Sequence, residues 1–211
     1  PTRRSSDLHT NVKLNPTLLG PDRLRQILNK ETGFADVVVP DSAFGHDLKY
    51  ADAVPMLERL RETARARSVQ FGVKLSNTLE VENHRDAFQK KEKMMYMSGR
   101  ALHAVTVNLA AKLSAEFSGG LMMSFSGGAD AFNVAHLLRS GMKTVTVCSD
   151  ILKTGGYLRM RQYIENTADA MKAARAADLP DFICKSARKV ETFGSGFESV
   201  LFDALKGHEA L

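Results

Sequence analysis

Short apolar runs that stop abruptly at polar or glycine residues alternate along this chain with stretches of helical period. Residues 12–14 lead into Asn15-Pro16-Thr17 and read as a short strand entering a turn. Pro21 follows Gly20 at a helix's first position; Leu24, Ile27 and Leu28 supply an apolar face, and Gly33 closes the helix. Residues 35–39 read as a buried strand stopped at Pro40, and 41–52 as a polar loop carrying His46, Asp47, Lys49 and Tyr50. An amphipathic helix is predicted over 53–67, with Val54, Leu57 and Leu60 on one side. A strand at 71–75 ends in Ser76-Asn77-Thr78, and 80–93 is too hydrophilic for core. Residues 94–97 form a brief apolar run before Ser98-Gly99-Arg100, and 102–117 read as a helix.

The most organised stretch is 121–156, LMMSFSGGADAFNVAHLLRSGMKTVTVCSDILKTGG. Its first apolar run, 121–125, stops at Ser126-Gly127-Gly128. From Ala131 the period becomes helical, with Val134, Leu137, Leu138 and Met142 on one face and Gly141 where a helix-ending glycine belongs. Residues 144–148 are strand-like again and lead into Ser149-Asp150. Gly155-Gly156 opens a helix through Leu158, Tyr163 and Ile164; an alanine-rich helical segment covers 166–177, and a helical tail follows Pro180. Two strand ends would thus place backbone N–H groups at the starts of two helices, which suits an anion. The plainer reading of Gly127-Gly128 is a tight turn without a ligand. The second polar strand end, one βα unit later, favours phosphate.

Five strand-like runs and a short sixth at 94–97 alternate with helices, which predicts a parallel sheet with its chemistry at the strands' carboxyl ends. No GxGxxG follows the first strand and no GxxxxGK[ST] occurs, so a dinucleotide-binding Rossmann domain and a P-loop are disfavoured. A phosphate site shared by two late βα turns is the arrangement of (β/α)8 barrels. The expected fold is therefore α/β: the C-terminal portion of a (β/α)8 TIM-like barrel, incomplete in this fragment because its units are too few to close it.

Composition changes this picture little. At 211 residues, 44% hydrophobic and 25% charged, the chain is ordinary globular material with enough length for one good core. A net charge of +5, spread without blocks of like sign, argues against nucleic acid as a partner. Cys148 and Cys184 form no metal pattern and cannot hold an iron–sulfur cluster alone. As free thiols without a secretory signal they fit a reducing, cytoplasmic compartment. No apolar run approaches the roughly 20 residues of a membrane span. The chain begins without Met, and residues 1–8 (PTRRSSDL) resemble a translated sequencing-adapter oligonucleotide. A non-native leader at 1–8, a partial barrel over 9–165 and a helical C-terminal extension over 166–211 are expected.

Lys13 and Lys74 each sit in a VKL triplet just before a strand's polar end. Lysine in a buried strand is costly unless paired, so each reads either as a contact for a flavin's electron-rich end or a substrate anion, or as a structural salt bridge. Asn15 and Asn77 carry amides suited to a heterocycle edge, although for Asn15, before Pro16, turn formation is the stronger reading. The 41–52 loop reads either as the rim of an active site or as a solvated loop. Gly99 allows close ligand approach. His84, His103 and His136 have no partner at metal-ligand spacing, so no metal site is expected. Cys148, in TVTVCSD, reads as a packed, buried thiol.

The run SFSGGADAFNVAHLLRSGMKTVTVCSD resembles the closing section of flavin-binding barrels in the dihydroorotate and dihydropyrimidine dehydrogenase superfamily. With VKLNPTLLG, FGVKLSNTL, YMSGRAL and GGYLRMRQY, residues 11–165 are similar to the large subunit of NADPH-linked iron–sulfur oxidoreductases known as selenate reductase subunits, which are glutamate-synthase-like. The resemblance implies that Gly127 and Gly128, then Cys148 and Ser149, hold the phosphate of FMN in two backbone turns. It implies Gly99 in the preceding flavin-contacting loop, Lys13 or Lys74 as the flavin-contacting lysine, and Asn77 with Thr78 beside the isoalloxazine or substrate. FAD, iron–sulfur clusters and NADPH are then expected on other domains or subunits of an electron-transfer complex acting on a small molecule. The catalytic loop cysteine or serine of pyrimidine-reducing relatives has no counterpart here, so no catalytic residue is assigned, and the fragment is expected to be inactive alone. The alternatives are a non-redox barrel binding a phosphorylated small molecule, as isomerase or lyase, and a scaffold that has lost its ligand.

Overall fold

The computed structural model of the chain describes residues 8–84, 87–89, 91–142 and 144–192. All of the expected leader but Leu8, and the expected extension beyond 192, lie outside the described residues. Two compact units emerge, Pro1–Met97 with Ala104–Met122, and Ser98–His103 with Met123–Leu211.

In the first unit, β1 (Thr10–Leu14) runs through a 3-10 turn, Pro16–Leu19, into α1 (Pro21–Arg25) and a π-helical turn, Gln26–Glu31. Leu24, Ile27 and Leu28 are buried, as their spacing predicts, and Gly33 follows at φ +76°. Residues 35–39 are not a strand. The run has the alternating burial of one, with Val37 and Val39 inside and Val38 exposed; the Val38 carbonyl accepts from the Glu82 N–H at 2.9 Å, but the Val37 and Val39 carbonyls go to side chains. Asn29 Nδ2 donates to the Val37 carbonyl at 2.7 Å and Arg25 Nη2 to the Val39 carbonyl at 2.6 Å. The predicted loop 41–52 instead contains α2 (Asp41–Gly45) and the start of α3 (Tyr50–Ala66). The Lys49 carbonyl accepts from Asp52 and Ala53, which starts α3 ahead of the predicted Ala53. Its buried face is Ala53, Leu57 and Ala64, while Leu60 is exposed.

The next strand, β2 (Phe71–Leu75), pairs in parallel with β1, Lys13 opposite Lys74 and Leu14 opposite Leu75. An antiparallel pair follows, β3 (Leu79–Glu82) with β4 (Met94–Met97). β3 corrects the expectation that 80–93 is too polar for core: Leu79 and Val81 are fully buried, with the glutamates alternating between them. After a 3-10 turn, Gly99–Leu102, α4 (His103–Glu116) buries Val105, Leu109 and Leu113 in this unit.

In the second unit, β5 (Met122–Phe125) pairs in parallel with β6 (Thr144–Val145), Phe125 opposite Val145. β6 is shorter than the predicted 144–148. Helices α5 (Val134–Arg139), α6 (Met160–Ala173) and α7 (Leu179–Thr192) complete the unit, with α5 packed on both of the others. Ala131, Val134 and Tyr163 form a buried cluster against which Leu138, Val145 and Val147 pack. No helix among the described residues is long and apolar enough to cross a membrane.

Candidate functional site

Loops at three strand ends converge in the second unit. Gly128, at the end of β5, has φ +73°, and a Cβ there would lie 2.5 Å from the Gly99 carbonyl oxygen and 2.7 Å from the Arg100 Cα. Glycine is therefore required twice over, by the left-handed backbone and by the backbone pressed onto it. Gly99 has φ +72°, and its Cβ would lie 3.2 Å from the Cβ and Oγ of Ser149. The predicted Gly99, Gly128 and Ser149 are thus in contact, with Gly127 and Cys148 adjoining them in the chain. Among the described residues nothing accepts from the backbone N–H of Gly127, Gly128 or Ala129, nor from those of Cys148, Ser149 or Asp150. Two turns bridged by Gly99 therefore carry donors without acceptors.

The helix starts predicted at these turns are not there. α5 begins only at Val134, without a side-chain cap, and the turn ahead of it is closed from within. Asp130 Oδ1 accepts from the N–H of Phe132 at 2.9 Å and of Asn133 at 3.2 Å, while Asn133 Oδ1 accepts from Asp130 N–H at 2.9 Å. This reciprocal pair has the three-residue spacing of a capping box but closes the turn ahead of α5. Asn133 Nδ2 also donates to the Gly128 carbonyl at 3.0 Å and lies 3.4 Å from Nδ1 of the buried His103. On the other oxygen of Asp130, Oδ2 takes Arg100 Nη2 at 2.6 Å. The second turn leads to a 3-10 turn, Gly156–Arg159, before α6.

Asp150 is buried and fully engaged. Its Oδ1 accepts from Arg159 Nη2 at 3.0 Å and Lys153 Nζ at 3.2 Å; its Oδ2 accepts from Arg159 Nε at 3.1 Å and Tyr163 Oη at 2.8 Å. Burial pushes this carboxyl up, but the hydrogen bonds from Arg159, Tyr163 and Lys153 outweigh it and hold it below the usual carboxylate range. Burial, reinforced by Asp150, pushes the Tyr163 phenol well up. Cys148 is exposed, which corrects the packed-thiol reading: Val145 and Val147 turn in to the buried cluster, and Cys148 falls with Thr144 and Thr146 on the outer side of that alternation.

In the first unit, Lys13 is exposed and Lys74 half-buried, and neither ammonium has an ion-pair partner among the described residues. The Asn77 N–H donates to the Leu14 carbonyl at 2.8 Å, extending the β1–β2 pairing, and Thr78 is exposed. Asn15 Nδ2 and Thr17 Oγ1 donate to the Asp47 carboxylate at 2.8 and 2.5 Å, so Asn15 and Asp47 hold each other. The rest of the predicted rim is likewise engaged. Lys49 Nζ donates to the Phe44 carbonyl, His46 Nε2 lies 3.4 Å from Glu80, and Tyr50 Oη is 3.2 Å from Glu116. Burial, with the Glu116 charge and hydrogen bond adding to it, pushes Tyr50 up to about 12. No group of three His, Cys, Asp or Glu among the described residues is placed to hold a metal ion.

The family described as "Oxidoreductase YgfK, N-terminal TIM-barrel domain" matches residues 4–192. The chain belongs to this family. It is 47% identical over 153 residues to the YgfK proteins of Escherichia coli strains K12 and O157:H7. The matched stretch is 72% of this chain and 14% of those proteins, so the chain spans a small part of their length. Among solved structures, ligand-free DHODH from Eimeria tenella is 18% identical with a TM-score of 0.49, over 65% of this chain and 37% of that one. The same enzyme with ferulenol gives 18% and 0.47, over 64% and 35%. The family's TIM-barrel domain is in line with the α/β fold class read from the sequence.

Proposed function

We propose that the chain grips the phosphate of FMN in a flavin-dependent oxidoreductase barrel. The barrel would belong to a longer NADPH-linked, iron–sulfur electron-transfer protein of the selenate-reductase-subunit, glutamate-synthase-like type. The observation that carries this reading is the seating of Gly128 on Gly99, with unpaired amides on both flanking turns. The donor set fits a phosphoryl group: it offers N–H donors without acceptors, in a place where a side chain at 128 cannot stand. When bound, FMN supplies the electron exchange. The protein's part is to bind and orient. Gly127, Gly128, Cys148 and Ser149 contribute amides, and Gly99 lets their loops close together. In the first unit Lys13 and Lys74, unpaired and at one register with Asn77 and Thr78 beyond, suit an anion or a flavin's electron-rich edge. A small-molecule substrate, partner domains carrying FAD and iron–sulfur clusters, and a cytoplasmic setting complete the proposal.

The test is titration of FMN, riboflavin 5′-sulfate and a sugar phosphate into the chain and its Gly128→Asp variant. Gly141→Ala, at φ +90° with nothing within 4 Å, serves as the control for backbone strain. FMN should bind to the parent and to Gly141→Ala, and Gly128→Asp should bind none. Tight sugar-phosphate binding without flavin binding supports the non-redox barrel instead, and binding of no phosphate ester by any form defeats the phosphate grip.

A further inference from the structure

We infer that Arg100 is the charged recognition group of this phosphate site, selecting phosphorylated ligands over their unphosphorylated counterparts through a guanidinium anchored by Asp130. The inference rests on the phosphate reading above and supplies what backbone amides lack, a full positive charge. A phosphate monoester carries close to two negative charges at neutral pH, with a second pKa of about 6. Two cations beside the loops of the second unit are already spent: Arg159 grips both oxygens of Asp150, and Lys153 reaches the same carboxylate at 3.2 Å. Arg100 is different. One nitrogen, Nη2, is tied to Asp130 Oδ2 at 2.6 Å, while its Nε and Nη1 meet no acceptor among the described residues. Its side chain is 44% exposed against 4% for Asp130, so the positive end of the pair faces outward.

The anchor is rigid. Asp130 Oδ1 is held by two backbone amides, and its own N–H is held by Asn133. The backbone of Arg100 lies against Gly128, where an added Cβ would come 2.7 Å from the Arg100 Cα. The guanidinium is therefore fixed beside the turn that carries the unpaired amides, and its planar fork can add charge-assisted hydrogen bonds to a phosphoryl oxygen.

The competing role for this ion pair is a staple that only holds loop 98–100 against 128–130. Dissociation constants for FMN and riboflavin, measured by flavin fluorescence on the whole chain and on Arg100→Gln and Arg100→Lys, separate the two. The chain should prefer FMN to riboflavin. Arg100→Gln should lose about tenfold or more in FMN affinity with riboflavin binding unchanged, and Arg100→Lys should fall between. The FMN preference of the parent should grow from pH 5 to pH 7 as the phosphate loses its second proton, and flatten in Arg100→Gln. Equal losses for both flavins mean a staple and overturn the inference. Full FMN affinity in Arg100→Gln overturns it while leaving the phosphate grip standing. A parent chain that binds neither FMN nor inorganic phosphate defeats the grip itself and this inference with it. Arg100→Lys retains the charge and hence the fold should Arg100→Gln unfold, and an FMN preference in it no greater than riboflavin's own affinity change counts against the inference.

Discussion

Asp150 illustrates how a charge survives burial in this protein: both of its oxygens are matched by donors from Arg159, Tyr163 and Lys153. Removing the charge weakens the hydrogen bonds from Arg159, Tyr163 and Lys153, so Asp150→Asn should cost about 2 kcal/mol near neutral pH. Because its folded pKa is depressed, the carboxylate's contribution is present above the unfolded pKa of about 3.9 and is lost as pH falls through the folded value. Urea midpoints of parent and variant should therefore differ by a constant amount from pH 8 to pH 5 and converge in acid below about pH 4. A gap that persists unchanged to pH 2 would show that packing, not charge, is responsible. The sequence marked Ser149-Asp150 as a polar strand end but not this network. Gly99, Gly128 and Ser149 were legible because glycines and polar residues at strand ends are local signals. Their supports were not, because Arg100 meets Asp130 across 30 positions and Tyr163 meets Ala129 across 34. Only the Asp130–Asn133 spacing offered a local sign, and it fits a cap as well as any surface turn.

At the scale of elements, β1 and β2 bring two lysines to one register, an arrangement that costs stability unless an anion lies between them. Lys74→Met should therefore stabilise the chain by about 0.5 kcal/mol at low ionic strength, and Lys13→Met likewise. The gain should vanish near 1 M salt, where screening acts within about 3 Å. Thermal unfolding across a salt series measures it; a lysine deletion that destabilises at low salt would reveal a counter-charge and reject the unpaired reading. These strands were legible because FGVKL and its partner are apolar runs with a clean polar end. The run at 35–39 is just as apolar, yet the Asn29 and Arg25 side chains take the Val37 and Val39 carbonyls, a single backbone bond from Glu82 reaches Val38, and no ladder forms. In β3 the error was the reverse: Glu80 and Glu82 made LEVE look like surface, although alternation is what one buried face produces. The helix α3 starts ahead of the predicted 53 because the polar residues read as loop already turn, the Lys49 carbonyl accepting from the N–H groups of Asp52 and Ala53.

For the whole molecule, the decisive quantity is how much barrel is present. A closed (β/α)8 barrel has eight parallel strands, and the described residues supply β1, β2, β5 and β6 in parallel pairs. The stretch shared with the Escherichia coli YgfK proteins covers only 14% of their length. The local phosphate grip needs only the second unit's own loops, whereas enclosing a flavin ring calls for neighbouring strands as well. Extending the chain with the remaining barrel strands of a YgfK relative should therefore tighten FMN binding beyond that of the 211-residue chain. Ligand at 100 times its Kd stabilises a domain by about 2.7 kcal/mol, which for this size corresponds to a rise in Tm of roughly 5–10 °C. The extended form should show that rise with FMN, and the shorter chain less. Because the chain carries a net charge of +5, the comparison belongs at about 0.15 M salt with sulfate as a control, so that diffuse attraction of any anion is screened. Equal shifts in both forms would mean that the grip alone binds FMN and the strands add nothing. No shift in the extended form, with sulfate and FMN indistinguishable, would remove FMN from the site.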